Sequence, residues 1–215
     1  MNRLSQCSPA IAASRRRSKR LAALARDALF GAPAVRYLTP LAWAMIVGLG
    51  YFLGHVREFG GYAWATPALF LGLLSIALFD ARYLIIPTCQ AVMLAMVGLV
   101  TVALTDFDAI GARVLAGVVA FGLLRAVGFL YRRMRGVDGL GLADADLLAA
   151  GAVWVGFDGL GATLLYAVAS ALLSTAIMRA QGQNLSRQSA LPFGPHLAAG
   201  IWLVWIFGPL EFAIG

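Results

Sequence analysis

Residues 88–104 read TCQAVMLAMVGLVTVAL, a stretch of seventeen residues without a charged side chain. As an α-helix this stretch would be about 26 Å long, close to the roughly 30 Å of hydrocarbon that a membrane span must cross. Six further apolar runs lie on either side of it. The seven predicted membrane segments are Leu38–Val56, Trp64–Phe79, Thr88–Leu104, Ala109–Tyr131, Ala145–Phe157, Gly161–Met178 and Leu197–Ile214.

The composition indicates the same class of protein. Hydrophobic residues make up 61% of the 215 residues and charged residues 13%, with a mean hydropathy of +0.82. A soluble domain has about 45–50% apolar and about 25% charged residues, so a soluble enzyme is excluded. A membrane β-barrel would alternate in polarity over segments of about ten residues, whereas these runs are continuous. We therefore predict an all-α polytopic transmembrane helical bundle of about seven segments.

Positive charge is concentrated at the start of the chain. The formal net charge is +7, and eight of the 17 Lys and Arg residues precede residue 37. The basic run at 15–20 has no interleaved aromatic residue, which argues against a nucleic-acid partner. We predict that residues 1–37 form a basic segment on the cytoplasmic membrane surface and that residues 38–215 form the transmembrane domain.

The remaining cations indicate the orientation. With the N-terminus in the cytoplasm, nearly all Lys and Arg residues fall on that side, and the outward side holds Arg57 in a loop and Arg113 at a helix start. The fifth segment, 145–157, would extend only about 20 Å, so we expect it to be tilted, re-entrant or lengthened by the preceding loop. Its crossing is needed to keep Arg179 and Arg187 on the cytoplasmic side.

The acidic residues near the membrane boundaries form two groups. The outward loops contain Glu58, Asp106, Asp108 and Asp158, and the inward boundary contains Asp80, Asp138, Asp144 and Asp146. Ionisable groups at the edge of a membrane span are costly unless paired. The inward group is therefore the better candidate for a functional site.

Asp80 and Asp144 are predicted at the same cytoplasmic depth. Each has a simple structural explanation, since Asp80 can pair with Arg82 and Asp144 can cap the fifth helix. Two adjacent carboxylates cannot both ionise, so one holds a proton while the other activates water, which is the chemistry of an aspartic protease. No HExxH or GxSxG motif offers a competing hydrolytic site.

Three blocks, in order, resemble the type IV prepilin peptidase family of membrane GxGD-type aspartic peptidases. Residues 80–87, DARYLIIP, are similar to the family's aspartate, basic residue and Ile-Pro. Residues 139–156, GLGLADADLLAAGAVWVG, resemble its GxGD motif and the later Gly-Ala-Trp. Residues 191–197, LPFGPHL, are similar to the Pro-Phe-Gly-Pro that enters its last helix.

The resemblance implies that Asp80 and Asp144 are the catalytic pair. Motif-supporting positions are then Arg82, Pro87, Gly139, Gly141, Ala143, Asp146, Pro192 and Gly194. The implied reaction is removal of the basic leader peptide from type IV prepilin-like or pseudopilin precursors, in a type IV pilus or type II secretion system. The implied location is the cytoplasmic face of a bacterial inner membrane, with the precursor and the lipid bilayer as partners and no metal or other cofactor.

Three positions depart from the family pattern. Ala143 replaces the second glycine of GxGD, Asp146 stands where lysine is usual, and Thr88 follows Pro87 where Asp or Asn is common. The methyl group of Ala143 is tolerable only where the backbone φ is negative. These departures leave an alternative function, a catalytically silent or substrate-restricted membrane assembly protein on the same scaffold.

The cysteines and histidines offer no second chemistry. Cys7 and Cys89 form no CxxC pair and no metal cluster with His55 and His196, and His196 is expected at the membrane interface. Many members of the resembled family carry an N-terminal domain with paired CxxC motifs that methylates the new N-terminus. We therefore predict a short form with peptidase activity and without methyltransferase activity.

Overall fold

The computed structural model describes residues 32–136, 141–180 and 192–209, with side chains from residue 42 onward except those of Phe59 and Leu142. The described residues form six α-helices and contain no strand, which confirms the predicted all-α class. The helices are α1 (Ala32–Gly54), α2 (Thr66–Tyr83), α3 (Thr88–Thr105), α4 (Ile110–Arg135), α5 (Leu142–Ala180) and α6 (Gly194–Phe207). Short 3-10 helices at Val56–Tyr62 and Phe107–Ala109 precede α2 and α4.

The chain divides into two units, Met1–Arg36 and Tyr37–Gly215. The described hydrophobic core belongs to the second unit. Residues 1–31 of the predicted basic segment lie outside the described residues.

The described helices confirm a polytopic membrane bundle. Stretches long and apolar enough to cross a membrane are Thr66–Tyr83, Thr88–Thr105, Phe107–Arg135 and Ala143–Ala180, and Ala42–Gly54 and Gly194–Phe207 are shorter apolar helices. Large apolar side chains cover the outer surface, and Leu104 and Met93 are 71% and 68% exposed. Such a surface suits lipid rather than water. The number of crossings and their orientation stay predictions.

Helix α5 is broken at Gly156, one residue before the end of the predicted fifth segment, Ala145–Phe157. Gly156 has φ 73° and ψ −174°, a backbone conformation that glycine adopts without steric cost. We call residues 142–155 the first arm of α5 and residues 157–180 its second arm. Because of the break, the single stretch Leu142–Ala180 contributes two helices to the bundle.

Packing against α6 shows that the chain reverses at this break. In the first arm, Gly151 faces the side chain of Ile201, close to the level at which Trp154 meets Trp205. In the second arm, the hydroxyl of Ser170 bonds His196, near the start of α6. The first arm therefore runs parallel to α6 and the second arm antiparallel to it, as the two predicted segments require.

Arg113 stabilises the break. It lies near the start of α4, which begins at Ile110, in agreement with its place at the start of the predicted segment Ala109–Tyr131. Its Nη1 donates a hydrogen bond to the carbonyl oxygen of Trp154 at 2.7 Å. A Cβ atom at Gly156 would lie 2.9 Å from the same nitrogen, so the glycine also makes room for the guanidinium.

Trp154 fixes the first arm against α3. Its side chain is 2% exposed, and its indole N–H donates to the carbonyl oxygen of Leu94 at 2.9 Å. A buried indole N–H needs such a partner, because an unpaired donor in an apolar core is costly. This contact fixes the depth of the arm that carries Asp144.

Candidate active site

Asp80 lies in the last turn of α2 and is 6% exposed. The helix ends because Leu84 adopts a left-handed conformation, φ 55°, with its N–H bonded to the Asp80 carbonyl oxygen at 2.8 Å. Pro87 then precedes α3, as predicted, where its fixed φ and missing N–H are tolerated. The turn from Leu84 to Pro87 is short, so α3 begins only eight residues after Asp80.

The carboxylate of Asp80 accepts a hydrogen bond from the first residue of another helix. The N–H of Gly194 donates to Asp80 Oδ2 at 2.9 Å, at the start of α6. The first amides of a helix lack partners within that helix, so a carboxylate is well placed there. A Cβ atom at Gly194 would lie 2.6 Å from the same oxygen, and only glycine permits this approach.

Asp144 is held at the start of α5. It lies in the first turn of the helix and is 6% exposed. The backbone N–H of Gly141 bonds its carboxylate, and its own N–H bonds the Gly141 carbonyl oxygen at 3.1 Å. This reciprocal arrangement resembles a capping box. Because α5 begins at Leu142, Asp144 lies inside its first turn, and the prediction that it would be the N-cap residue is wrong. The bond from Gly141 instead fixes the direction of the carboxylate.

The two carboxylates lie within electrostatic range of each other. The structure describes seven acidic residues, and Asp80 and Asp144 are the two among them that are buried. Carboxylates are rarely fully buried unless they are paired or functional. Among the described residues, no group of three or more His, Cys, Asp or Glu side chains could hold a metal ion.

Asp146 does not face this pair. Two residues along a helix correspond to a rotation of about 200°, so Asp146 leaves the first arm on the side opposite Asp144. There its Oδ2 accepts a hydrogen bond from the Thr88 hydroxyl at 2.8 Å, and its Oδ1 lies 3.9 Å from Arg125 Nη2. Two positions that depart from the family pattern, Thr88 and Asp146, thus contact each other.

Two helices continue beyond the level of the carboxylate pair. Arg125 of α4 lies opposite Asp146, and α4 continues ten residues past it, about 15 Å. The second arm of α5 continues for a similar length past Ser170, which lies opposite His196. The exposed helix ends carry Arg132, Arg133, Arg135 and Arg179. The carboxylates therefore lie about 15 Å before the ends of these two helices.

The other predicted positions vary in their relation to the pair. Arg82 is exposed, with its guanidinium carbon 5.3 Å from the Tyr83 ring centroid, whereas Asp80 is buried. Pro192, two residues before Gly194, is buried. Leu84 is the one described non-glycine residue with a positive φ, so the φ of Ala143 is negative. The methyl group of Ala143 is therefore tolerated. Gly139 lies outside the described residues.

His196 is fully buried near the start of α6, and its predicted position at the membrane interface stays a prediction. Its Nδ1 lies 2.8 Å from the hydroxyl of Ser170 in the second arm. The apolar character of α6 on every face predicts a buried helix, and this was the signal that could have located His196.

Comparison with known proteins gives the family. Residues 67–178 match the model of the type IV leader peptidase family. The chain belongs to this family. The match extends from α2 into α5 and includes both Asp80 and Asp144.

Several curated proteins are similar to the chain over most of its length. A prepilin leader peptidase/N-methyltransferase from Stutzerimonas stutzeri is 29% identical over 163 residues, which cover 74% of this chain and 56% of the relative. Proteins of the same name from Pseudomonas aeruginosa and Burkholderia pseudomallei are 29% and 28% identical, over 72% and 75% of this chain and 54% and 53% of the relatives. The chain thus spans about half the length of the curated relatives it matches. No solved structure matches it.

Proposed function

We propose that the chain is a membrane-embedded aspartic endopeptidase that removes the basic leader peptide from type IV prepilin-like or pseudopilin precursors. The observation that carries the proposal is the burial of two acids, Asp80 and Asp144, near each other. They are the buried members of the seven described acids, they come from two helices, and they lie within electrostatic range. Membership of the type IV leader peptidase family supports the same reaction.

The proposed chemistry uses the pair as one unit. The two carboxylates share a proton, because neighbouring carboxylates resist double ionisation. The ionised member takes a proton from water, whose oxygen attacks the carbonyl carbon of the scissile peptide while the protonated member donates to the carbonyl oxygen. The C–N bond of the tetrahedral intermediate then breaks, and the leaving amine takes up the proton removed from water. One hydroxyl proton of the intermediate returns to the other carboxylate, which restores the shared proton.

Backbone amides orient the two carboxylates for this reaction. Gly194 donates to Asp80, and Gly141 donates to Asp144, so each carboxylate is fixed by a group that does not ionise. Fixed dipoles around a reacting pair need no rearrangement when charge develops. Both donors belong to the motifs singled out from the sequence.

The proposed substrate follows from the relatives and from the position of the pair. The relatives are named prepilin leader peptidases. A precursor with a basic leader and an apolar helix would lie in the membrane beside the bundle, with its cleavage site at the end that holds the carboxylates. The cations of that end, including Arg133 and Arg179, favour a cytoplasmic orientation in a bacterial inner membrane.

Co-expression with candidate precursors tests the proposal. The host's prepilins and pseudopilins are each co-expressed with the wild type, Asp80→Asn or Asp144→Asn, and their N-termini are determined by mass spectrometry. We expect cleavage by the wild type and uncleaved precursor with either variant, whereas the control Asp158→Asn, at an exposed acid, cleaves normally. Absence of cleavage by the wild type across all precursors would favour the catalytically silent scaffold.

Methyl transfer is a separate reaction with its own test. We predict that the chain has no methyltransferase activity. Incubation of the purified chain with S-adenosylmethionine and a cleaved pilin would contradict this prediction if the new N-terminus became methylated.

A further inference from the structure

A polar link joins α3, α4 and the first arm of α5 on the side of that arm away from the carboxylate pair. It consists of Thr88, Arg125 and Asp146. The Thr88 hydroxyl donates to Asp146 Oδ2 at 2.8 Å, and Arg125 Nη2 lies 3.9 Å from Asp146 Oδ1. The three residues come from three different helices, so their contacts join these helices to one another.

The link connects the two segments that carry the carboxylates. Thr88 is the first residue of α3 and follows Asp80 by eight residues, across the short turn that contains the buried Ile86. Asp146 follows Asp144 by two residues in the same arm. A displacement of Thr88 from Asp146 would therefore be transmitted to the separation of Asp80 and Asp144.

The contact with Thr88 outweighs the contact with Arg125. The Asp146 side chain is 15% exposed, so its charge needs a donor, and the 2.8 Å hydroxyl contact has the length of a good charge-assisted hydrogen bond. The Arg125 side chain is 40% exposed and lies at 3.9 Å, and ion pairs of this kind contribute little. Through its contact with Thr88, the Asp146 carboxylate of α5 also lies beside the N-terminus of α3, where the helix dipole favours an anion.

We propose that Thr88 and Asp146 are positioning residues, which set the separation of the two carboxylates without contacting the substrate. The inference rests on the proposed peptidase function. Reacting groups must be held to within about 0.5 Å, and a misplacement of about 1 Å can reduce a rate about 100-fold. The link is accordingly expected to control kcat more than KM.

Kinetics on the purified, reconstituted chain with a prepilin substrate test this inference. We expect Thr88→Val, which removes the hydroxyl and keeps the side-chain shape, to lower kcat about 10- to 100-fold with KM changed less than about twofold. Thr88→Ser, which keeps the hydroxyl, should restore kcat to within about threefold of the wild type. Thr105→Val is the matched control, because its hydroxyl bonds only the Thr101 carbonyl within α3.

Combined variants separate the link from a general loss of packing. Thr88→Val combined with Asp146→Leu should have the same kcat as the more impaired single variant, because both changes break one contact. Arg125→Met should lower kcat less than about threefold. Wild-type kcat in Thr88→Val, or multiplied losses in the double variant, would overturn the inference.

Hydrogen exchange distinguishes failure of this inference from failure of the proposed function. Amide exchange of residues 80–90 and 142–150 is compared between the wild type and Thr88→Val, and this readout needs no activity. Faster exchange in both segments supports the link, and unchanged exchange in residues 142–150 overturns it. If the wild type cleaves no precursor, the proposed function is refuted. The exchange measurement alone then decides whether the link holds the two segments together.

Discussion

Replacement of Gly194 by alanine tests how closely the start of α6 approaches Asp80. The new Cβ atom would lie 2.6 Å from Asp80 Oδ2 and 3.0 Å from its Cγ, so the carboxylate must move and its 2.9 Å hydrogen bond is lost. A hydrogen bond to a charged group contributes about 1.5–3 kcal/mol. At 1.36 kcal/mol per factor of ten, kcat/KM should fall about 10- to 100-fold.

Gly111→Ala provides the matched control for this variant. Gly111 lies in the first turn of α4, as Gly194 lies in the first turn of α6, but a Cβ atom there meets nothing within 4 Å. Both variants are purified in detergent, checked for helix content and thermal unfolding, and assayed for prepilin cleavage. Gly194→Ala with wild-type kcat/KM would refute the proposed approach of α6 to Asp80.

Three further variants test other parts of the structure. Ala143→Gly should leave the cleavage rate within about twofold, because the methyl group already fits a negative φ; a large gain in the cleavage assay would contradict this. Arg113→Met leaves the Trp154 carbonyl oxygen without its donor and should lower the free energy of unfolding by about 1–3 kcal/mol, measured by thermal unfolding. Ser170→Ala leaves the Nδ1 atom of buried His196 unpaired and should have a similar cost in the same measurement, and an unchanged unfolding temperature would argue against that hydrogen bond.

The helices could be predicted from the sequence because they depend on local pattern. The predicted segment 88–104 and α3 (Thr88–Thr105) differ by one residue, since the run contains no charge and Pro87 precedes it. The short fifth segment likewise indicated a special geometry, and the reversal at Gly156 explains its length. The contact of Arg113 with Trp154 was not predictable, because it joins residues 41 positions apart.

The acidic pair stood out in the sequence because the chain has ten acidic residues in all, and Asp80 and Asp144 are predicted at the same depth of the inward boundary. The direction of Asp146 was also within reach, since helical periodicity alone turns it away from Asp144. The hydrogen-bond donor to Asp80 could not be predicted from the sequence, because Gly194 is 114 residues away and its N–H becomes available only when α6 begins there. Sequence motifs thus identified Gly194 as a position of interest, and tertiary packing supplied its interaction.

The central claim is that Asp80 and Asp144 act as one catalytic unit. The most direct test is the prepilin cleavage rate of purified Asp80→Asn, Asp144→Asn and the double variant, each with confirmed helix content. Residues that act as a unit are non-additive, so we expect each single variant to lose at least about 1000-fold in kcat and the double variant to lose no more. A single variant that cleaves near the wild-type rate, or losses that multiply in the double variant, would contradict the claim.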